Sequence, residues 1–132
     1  MKNSFDLVKN YVLELDLDIR HENRERGILV IHKEQEGIVN LVVCVAPPMV
    51  IFEQYIFQIG RAPVAGVYQA LLQKNRDIIH GAFAVNESGT KVIFRNTLQV
   101  ENLDKNEFEA TLNSLSLLLS EYAEQIIEFS KK

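Results

Sequence analysis

The sequence has no tryptophan, one cysteine, three prolines and six glycines among its 132 residues. With Cys44 alone, no internal disulfide can form, and a cysteine-built zinc site is argued against. Basic excess is also missing: 14 Lys and Arg stand against 18 Asp and Glu, a formal charge of −4. No positive field draws in phosphate backbones, so nucleic-acid binding is not expected. Arg20, Arg24 and Arg26 cluster locally, but Glu22 and Glu25 interrupt them and no aromatic platform accompanies them. Long apolar runs are absent. The longest, Leu41 to Phe52, is broken by Pro47-Pro48 and falls short of the ~18 residues of a transmembrane helix. Met1 to Asp6 shows neither the apolar stretch nor the cleavage site of an export signal. No membrane association is expected, and the cytoplasm is the expected location, which a lone cysteine fits.

What remains is ordinary globular composition, 47% hydrophobic and 24% charged, which argues against disorder. The length suits one domain over residues 1–132. No linker or low-complexity tract divides it, and each half of the chain carries the same net charge.

The pattern of apolar residues gives the elements. Phe5, Val8, Tyr11, Val12 and Leu15 recur at helical spacing. Asn3 or Ser4 is placed to cap that helix, which fades at Asp16-Leu17-Asp18. Strand character follows over Asp18–Asn23 and Ile28–His32. Ile38–Ala46 is apolar on both alternating faces, as in a central strand covered on both sides. Met49–Ile59 is a further strand after Pro47-Pro48. Pro63 suits a helix start, and Val64, Val67, Tyr68, Leu71 and Leu72 share one helical face. Gly66 inside that helix suggests close approach of a neighbouring backbone. Ile78–Val85 and Lys91–Val100 flank a turn at Asn86–Gly89 as a hairpin. Asp104 with Glu107 resembles a capping box. It opens one long amphipathic helix from Phe108 to Phe129 that lies on a sheet or a partner helix. The order is α, three or four strands, α, two strands, α. Grouped strands without βαβ alternation mean an α+β fold with a mainly antiparallel sheet.

Reactive chemistry is sparse. Cys44 sits mid-strand between Val43 and Val45, where a thiol is buried and inert. His32-Lys33-Glu34 lacks the P-C-x-x-C that a zinc deaminase also needs, and there is no H-E-x-x-H. Gly60 to Gly66 lacks the Lys and Ser/Thr of a phosphate-binding loop. Ser88 is a turn residue, and no carboxylates pair among apolar neighbours. No catalytic residue, cofactor site or metal site is assigned.

Met49–Ile59 holds eight apolar residues against Glu53, Gln54 and Gln58, so neither face is fully polar. At a sheet edge such a strand would need a cover: a helix, a second subunit, or a client peptide added as a strand. The other possibility is an inner, fully packed strand. Val50, Phe52, Tyr55, Phe57 and Ile59 are the candidate partner or dimer contacts.

The element order and several segments of the second half resemble a known family. They are Tyr68-Gln69-Ala70-Leu71-Leu72-Gln73-Lys74-Asn75-Arg76, His80-Gly81-Ala82-Phe83, Val92-Ile93-Phe94-Arg95-Asn96-Thr97-Leu98 and Glu101-Asn102-Leu103-Asp104. Together they resemble the YbjN-type family, which is similar in fold to the type III secretion (Tir-type) chaperones. The resemblance covers about Pro63 to Phe129; before that only the element order agrees. It implies an α-β-β-β-α-β-β-α domain with a strongly curved antiparallel sheet and packed helices. It also implies a homodimer, a chaperone-like or regulatory role exerted on another protein, and no catalytic residues. Asn75 matches a recurring Asn at the end of the middle helix, where a structural role is implied.

The leading expectation is a non-enzymatic, dimeric, protein-binding module that meets a client or regulatory protein. The alternative is a small-ligand sensor or enzyme. Its pocket would lie between the sheet and the last helix, with His80, Tyr122 or Arg95 pointing in.

Overall fold

The computed structural model describes residues 3–132. Helix α1 (Ser4–Glu14) begins at Asn3, whose Oδ1 accepts from the Asp6 N–H at 2.8 Å. It buries Phe5, Val8 and Val12 and ends before Asp16, which takes φ 57°. Strands β1 (Asp18–Asn23), β2 (Ile28–Lys33), β3 (Ile38–Ala46) and β4 (Met49–Gln58) follow as an antiparallel meander. Helix α2 (Val64–Asn75) leads to the hairpin of β5 (Ala82–Val85) and β6 (Lys91–Gln99). Helices α3 (Lys105–Glu121) and α4 (Ala123–Ser130) complete the chain. Asp104 caps α3 by accepting from the Glu107 N–H at 2.8 Å.

The six strands form one sheet in the order β1-β2-β3-β4-β6-β5, antiparallel throughout. Register shifts between Ile19 and His21, between Ile31 and Lys33, and between Tyr55 and Phe57 bend the strands. The helices gather on one face of this curved sheet and bury a single core. Phe108 of α3 lies at its centre, its ring 5.3 Å from that of Phe52 on β4 and 5.9 Å from that of Tyr11 on α1. Phe129 of α4 packs on Phe57 of β4 at 6.3 Å.

Four expectations from sequence change here. Strand β3 is not covered on both sides: Leu41, Val43 and Val45 are buried, while Val39 and Val42 are exposed. The long C-terminal helix breaks at Tyr122, which has φ −108° and ψ 15°. Beyond the break α4 lays Phe129 on β4, and the end of the chain pairs with the exit from that strand. There the Gly60 N–H donates to the Phe129 carbonyl at 2.9 Å and the Arg61 N–H to the Lys131 carbonyl at 2.7 Å. A side chain on residue 60 would run into the Lys131 carbonyl, so glycine is required there. Residues 78–81 are not strand. Gly81 takes φ 91°, and the chain turns before β5 begins.

The fourth change concerns Gly66. A Cβ there would meet nothing within 4 Å, so the position permits no backbone approach. Replacing it removes only the conformational cost of an interior helical glycine. Gly66→Ala is therefore expected to raise stability by about 1 kcal/mol, read as a higher urea midpoint with unchanged slope.

Candidate protein-interaction surface

Strand alternation divides β4 into an inner and an outer set, and the bulge after Tyr55 shifts the phase by one residue. Val50, Phe52 and Gln54 point inward before it, and Phe57 and Ile59 after it. Of the five candidate contact residues, Val50, Phe52, Phe57 and Ile59 are therefore buried in the chain's own core, and only Tyr55 is free, at 55% exposed. A side chain closed into the core offers no surface to a partner, so the contact candidate narrows to Tyr55 and its outer-face neighbours. The strand itself is inner, between β3 and β6, and its backbone is already paired on both sides.

The outer face of the sheet carries the apolar surplus. Register places Val30, Val42, Glu53 and Arg95 in one row across β2, β3, β4 and β6. Ile28, Cys44, Ile51 and Thr97 form the next row, and Tyr55 sits opposite Ile93 on the other side. Aliphatic and aromatic side chains thus surround one ion pair, Glu53 with Arg95. This explains why Ile38–Ala46 and Met49–Ile59 read as apolar on both faces while the helices cover only one. The alternation in β6, with Val92 and Phe94 inside and Lys91 and Arg95 outside, matches its expected half-buried character.

The sheet edges are protected. Strand β1 is polar apart from Ile19, which packs against the core. At the other edge, the Asn75 amide at the end of α2 pairs with β5: its Nδ2 donates to the Phe83 carbonyl at 3.0 Å and its Oδ1 accepts from the Phe83 N–H at 2.7 Å. Asn75 thus has a structural role, as a substitute strand at the edge of β5. A second amide, that of the buried Gln54, closes the gap where β3 and β4 diverge. The Gln54 Nε2 donates to the Gly37 carbonyl and its Oε1 accepts from the Val39 N–H, both at 2.9 Å. Gln54 and Asn75 depend on backbone groups 8 to 17 residues away, which no local pattern points to.

A groove of about 280 Å³ lies on the helical side, between residues 77–80 and α3. His80 and Tyr122 both line it, as the ligand-pocket alternative requires, together with Ile78, Leu117 and Leu118. Arg95 does not: it lies on the outer face of the sheet with Glu53. The groove is open and largely apolar rather than closed and polar. Burial, then the charges of Glu121 and Asp77, raise the Tyr122 hydroxyl above its ordinary pKa. Cys44 is not buried as its apolar neighbours suggested: it is half-buried on the outer face, because the helices cover only the other side of β3. The His32 Nδ1 accepts a long bond from the Asn40 N–H at 3.4 Å. Among the described residues no group of three or more His, Cys, Asp or Glu side chains is placed to hold a metal, and no helix is long and apolar enough to cross a membrane.

No curated protein matches the sequence significantly. Solved structures do match in fold. E. coli YbjN is 12% identical with a TM-score of 0.68, covering 92% of both chains. A chain of the ExsC–ExsE complex is 17% identical with a TM-score of 0.66, again covering 92% of both. The structure of the Yersinia pestis type III secretion chaperone SycH, in complex with a stable fragment of YscM2, matches at 14% identity and a TM-score of 0.57. It covers 97% of this chain and 100% of that one. These likenesses establish the fold: α+β, with the six-stranded antiparallel sheet of the type III secretion chaperones. Residues 1–132 match CesT_Tir_1, and the chain belongs to that family.

Proposed function

We propose that this chain is a non-enzymatic, chaperone-like protein-binding module, one domain over residues 1–132, acting in the cytoplasm as a homodimer. The observation that carries the reading is the outer sheet face, where Ile28, Val30, Val42, Ile51, Tyr55 and Ile93 form an apolar surface that the chain's helices leave open. Family membership and the ExsC–ExsE and SycH–YscM2 complexes support a protein as the thing bound.

A second copy suits the outer face because the Glu53–Arg95 pair is self-complementary. Across a twofold axis, Glu53 of one copy meets Arg95 of the other. The apolar rim around that pair then gives an interface with a polar centre that fixes register.

Tyr55→Asp tests this reading. It places a charge on the outer face without touching the core. The expected result is a fall from dimer to monomer mass in light scattering, with unchanged circular dichroism. Phe57→Asp should instead unfold the chain, because Phe57 is buried against Phe129. A Tyr55→Asp protein that keeps its dimer mass, or a wild-type protein that is a monomer throughout, would sink the outer-face dimer.

A further inference from the structure

The groove on the helical side lies away from the outer face, and its construction points to a particular occupant. Ala110, Asn113, Ser114, Leu117 and Glu121 line it from α3 at spacings of three and four residues. They form one stripe of about 17 Å along the helix axis, at 1.5 Å per residue. That stripe runs beside the buried one of Phe108, Leu112, Leu115 and Leu118 and meets it at Leu118, which lines the groove floor.

The opposite wall is residues 77–80, and it is held in place rather than loose. The Ser114 Oγ donates to the His80 carbonyl at 2.7 Å. Gly81, at φ 91°, turns the chain where any side chain would strike the Phe94 ring. The turn projects Ile79 outward at 87% exposure, and across the groove Leu117 stands at 63%. Two large aliphatic side chains held out of the core on opposite walls of a groove cost hydrophobic free energy unless something covers them.

The rim carries the sign. Asp77 and Glu121 line the groove and no lysine or arginine does. Lys74 is engaged on the Tyr122 ring, its Nζ 5.1 Å from the centroid. Burial raises the Tyr122 hydroxyl pKa, and the charges of Glu121 and Asp77 add to that shift.

We propose that this groove receives a helical segment of a partner protein, with two or three apolar side chains flanked by lysine or arginine. The length of the stripe fits about three helical turns laid beside α3. A small molecule in about 280 Å³ would cover only part of a stripe about 17 Å long. A second copy of the chain would bring acidic rim against acidic rim. The proposal rests on the reading of the protein as a protein-binding module, and it names the chemistry of the client.

The test uses the full chain and a synthetic helical peptide of leucine and lysine in heptad order, with a glutamate-for-lysine counterpart. The expected result is that the lysine peptide binds at least about tenfold more tightly than its counterpart and shifts the methyl resonances of Ile79 and Leu117. Ile79→Ser and Leu117→Ser should each weaken it about tenfold, as the loss of one anchor does. The double variant Asp77→Asn, Glu121→Gln should bring the two peptides to similar affinity. Circular dichroism checks that each variant is folded, which exposed positions favour. Equal binding of both peptides, no binding at millimolar peptide, or shifts confined to other surfaces would overturn it. So would an Ile79→Ser variant that loses its dimer mass, since the groove would then hold a second copy. Measuring peptide binding on Tyr55→Asp protein keeps the two proposals separate: the groove should bind whether or not the outer face dimerises.

Discussion

Phe108→Ala should lower the free energy of unfolding by about 3–5 kcal/mol, the range for an aromatic removed from a well-packed core. Phe108 is fully buried, and its ring contacts join three elements that no short-range pairing connects: α1 through Tyr11, β4 through Phe52, and α3 itself. The cavity would open where those elements meet, so little relaxation can fill it. Against a typical total of about 5–15 kcal/mol, the loss takes roughly a fifth or more of the stability. Urea unfolding followed by circular dichroism measures it. The double variant with Phe52→Ala should cost less than the sum of the two, because the rings share one contact. A loss under about 1 kcal/mol would mean that the aromatic cluster does not hold the helices to the sheet.

Gln54→Leu should cost about 2–4 kcal/mol, even though it puts a more apolar side chain into a buried position. The lost amide leaves the Gly37 carbonyl and the Val39 N–H without their partner, and an unsatisfied group costs roughly 1–3 kcal/mol. The leucine recovers part of this through its own burial. Hydrogen exchange gives a local readout: the Val39 amide should exchange much faster in the variant, while Val43 in the ladder with β4 changes only with global stability. Retained stability together with unchanged Val39 exchange would mean that water replaces the amide without loss.

These two residues mark what was and was not legible in the sequence. Features set by neighbours along the chain were readable. Asn3 and Asp104 cap where their spacing to Asp6 and Glu107 indicates. The strand at Asp18–Asn23 and the order of elements along the chain were readable, and the family resemblance led to the same fold. Features set across the sheet were not readable. The bulge after Tyr55 changes which residues of β4 face inward, so a contact list drawn from one strand mixed core with surface. The helix break at Tyr122 has no Gly or Pro to announce it; beyond it α4 lays Phe129 on Phe57 of β4. The surplus of apolar residues in β3 and β4 was legible as quantity but not as placement. Counting says that two faces are apolar, and only the packed helices decide which face stays open.

The amide of Asn75 on the backbone of Phe83 has one more consequence. A protein that keeps an apolar sheet face open risks polymerising wherever a strand edge is also free, because edge pairing adds copies without end. Strand β5 is only four residues long, and at Phe83 the side chain of α2 occupies both of the groups that a neighbouring strand would use. At the far edge β1 presents Arg20, His21 and Glu22, which discourage pairing by charge and hydration. Growth in the plane of the sheet is blocked at both ends. The open face is left with flat stacking, which a twofold pair completes after one step. In physical terms the edge amide acts as a chain terminator: it lets the molecule stay adhesive on one side and still stop at a finite size.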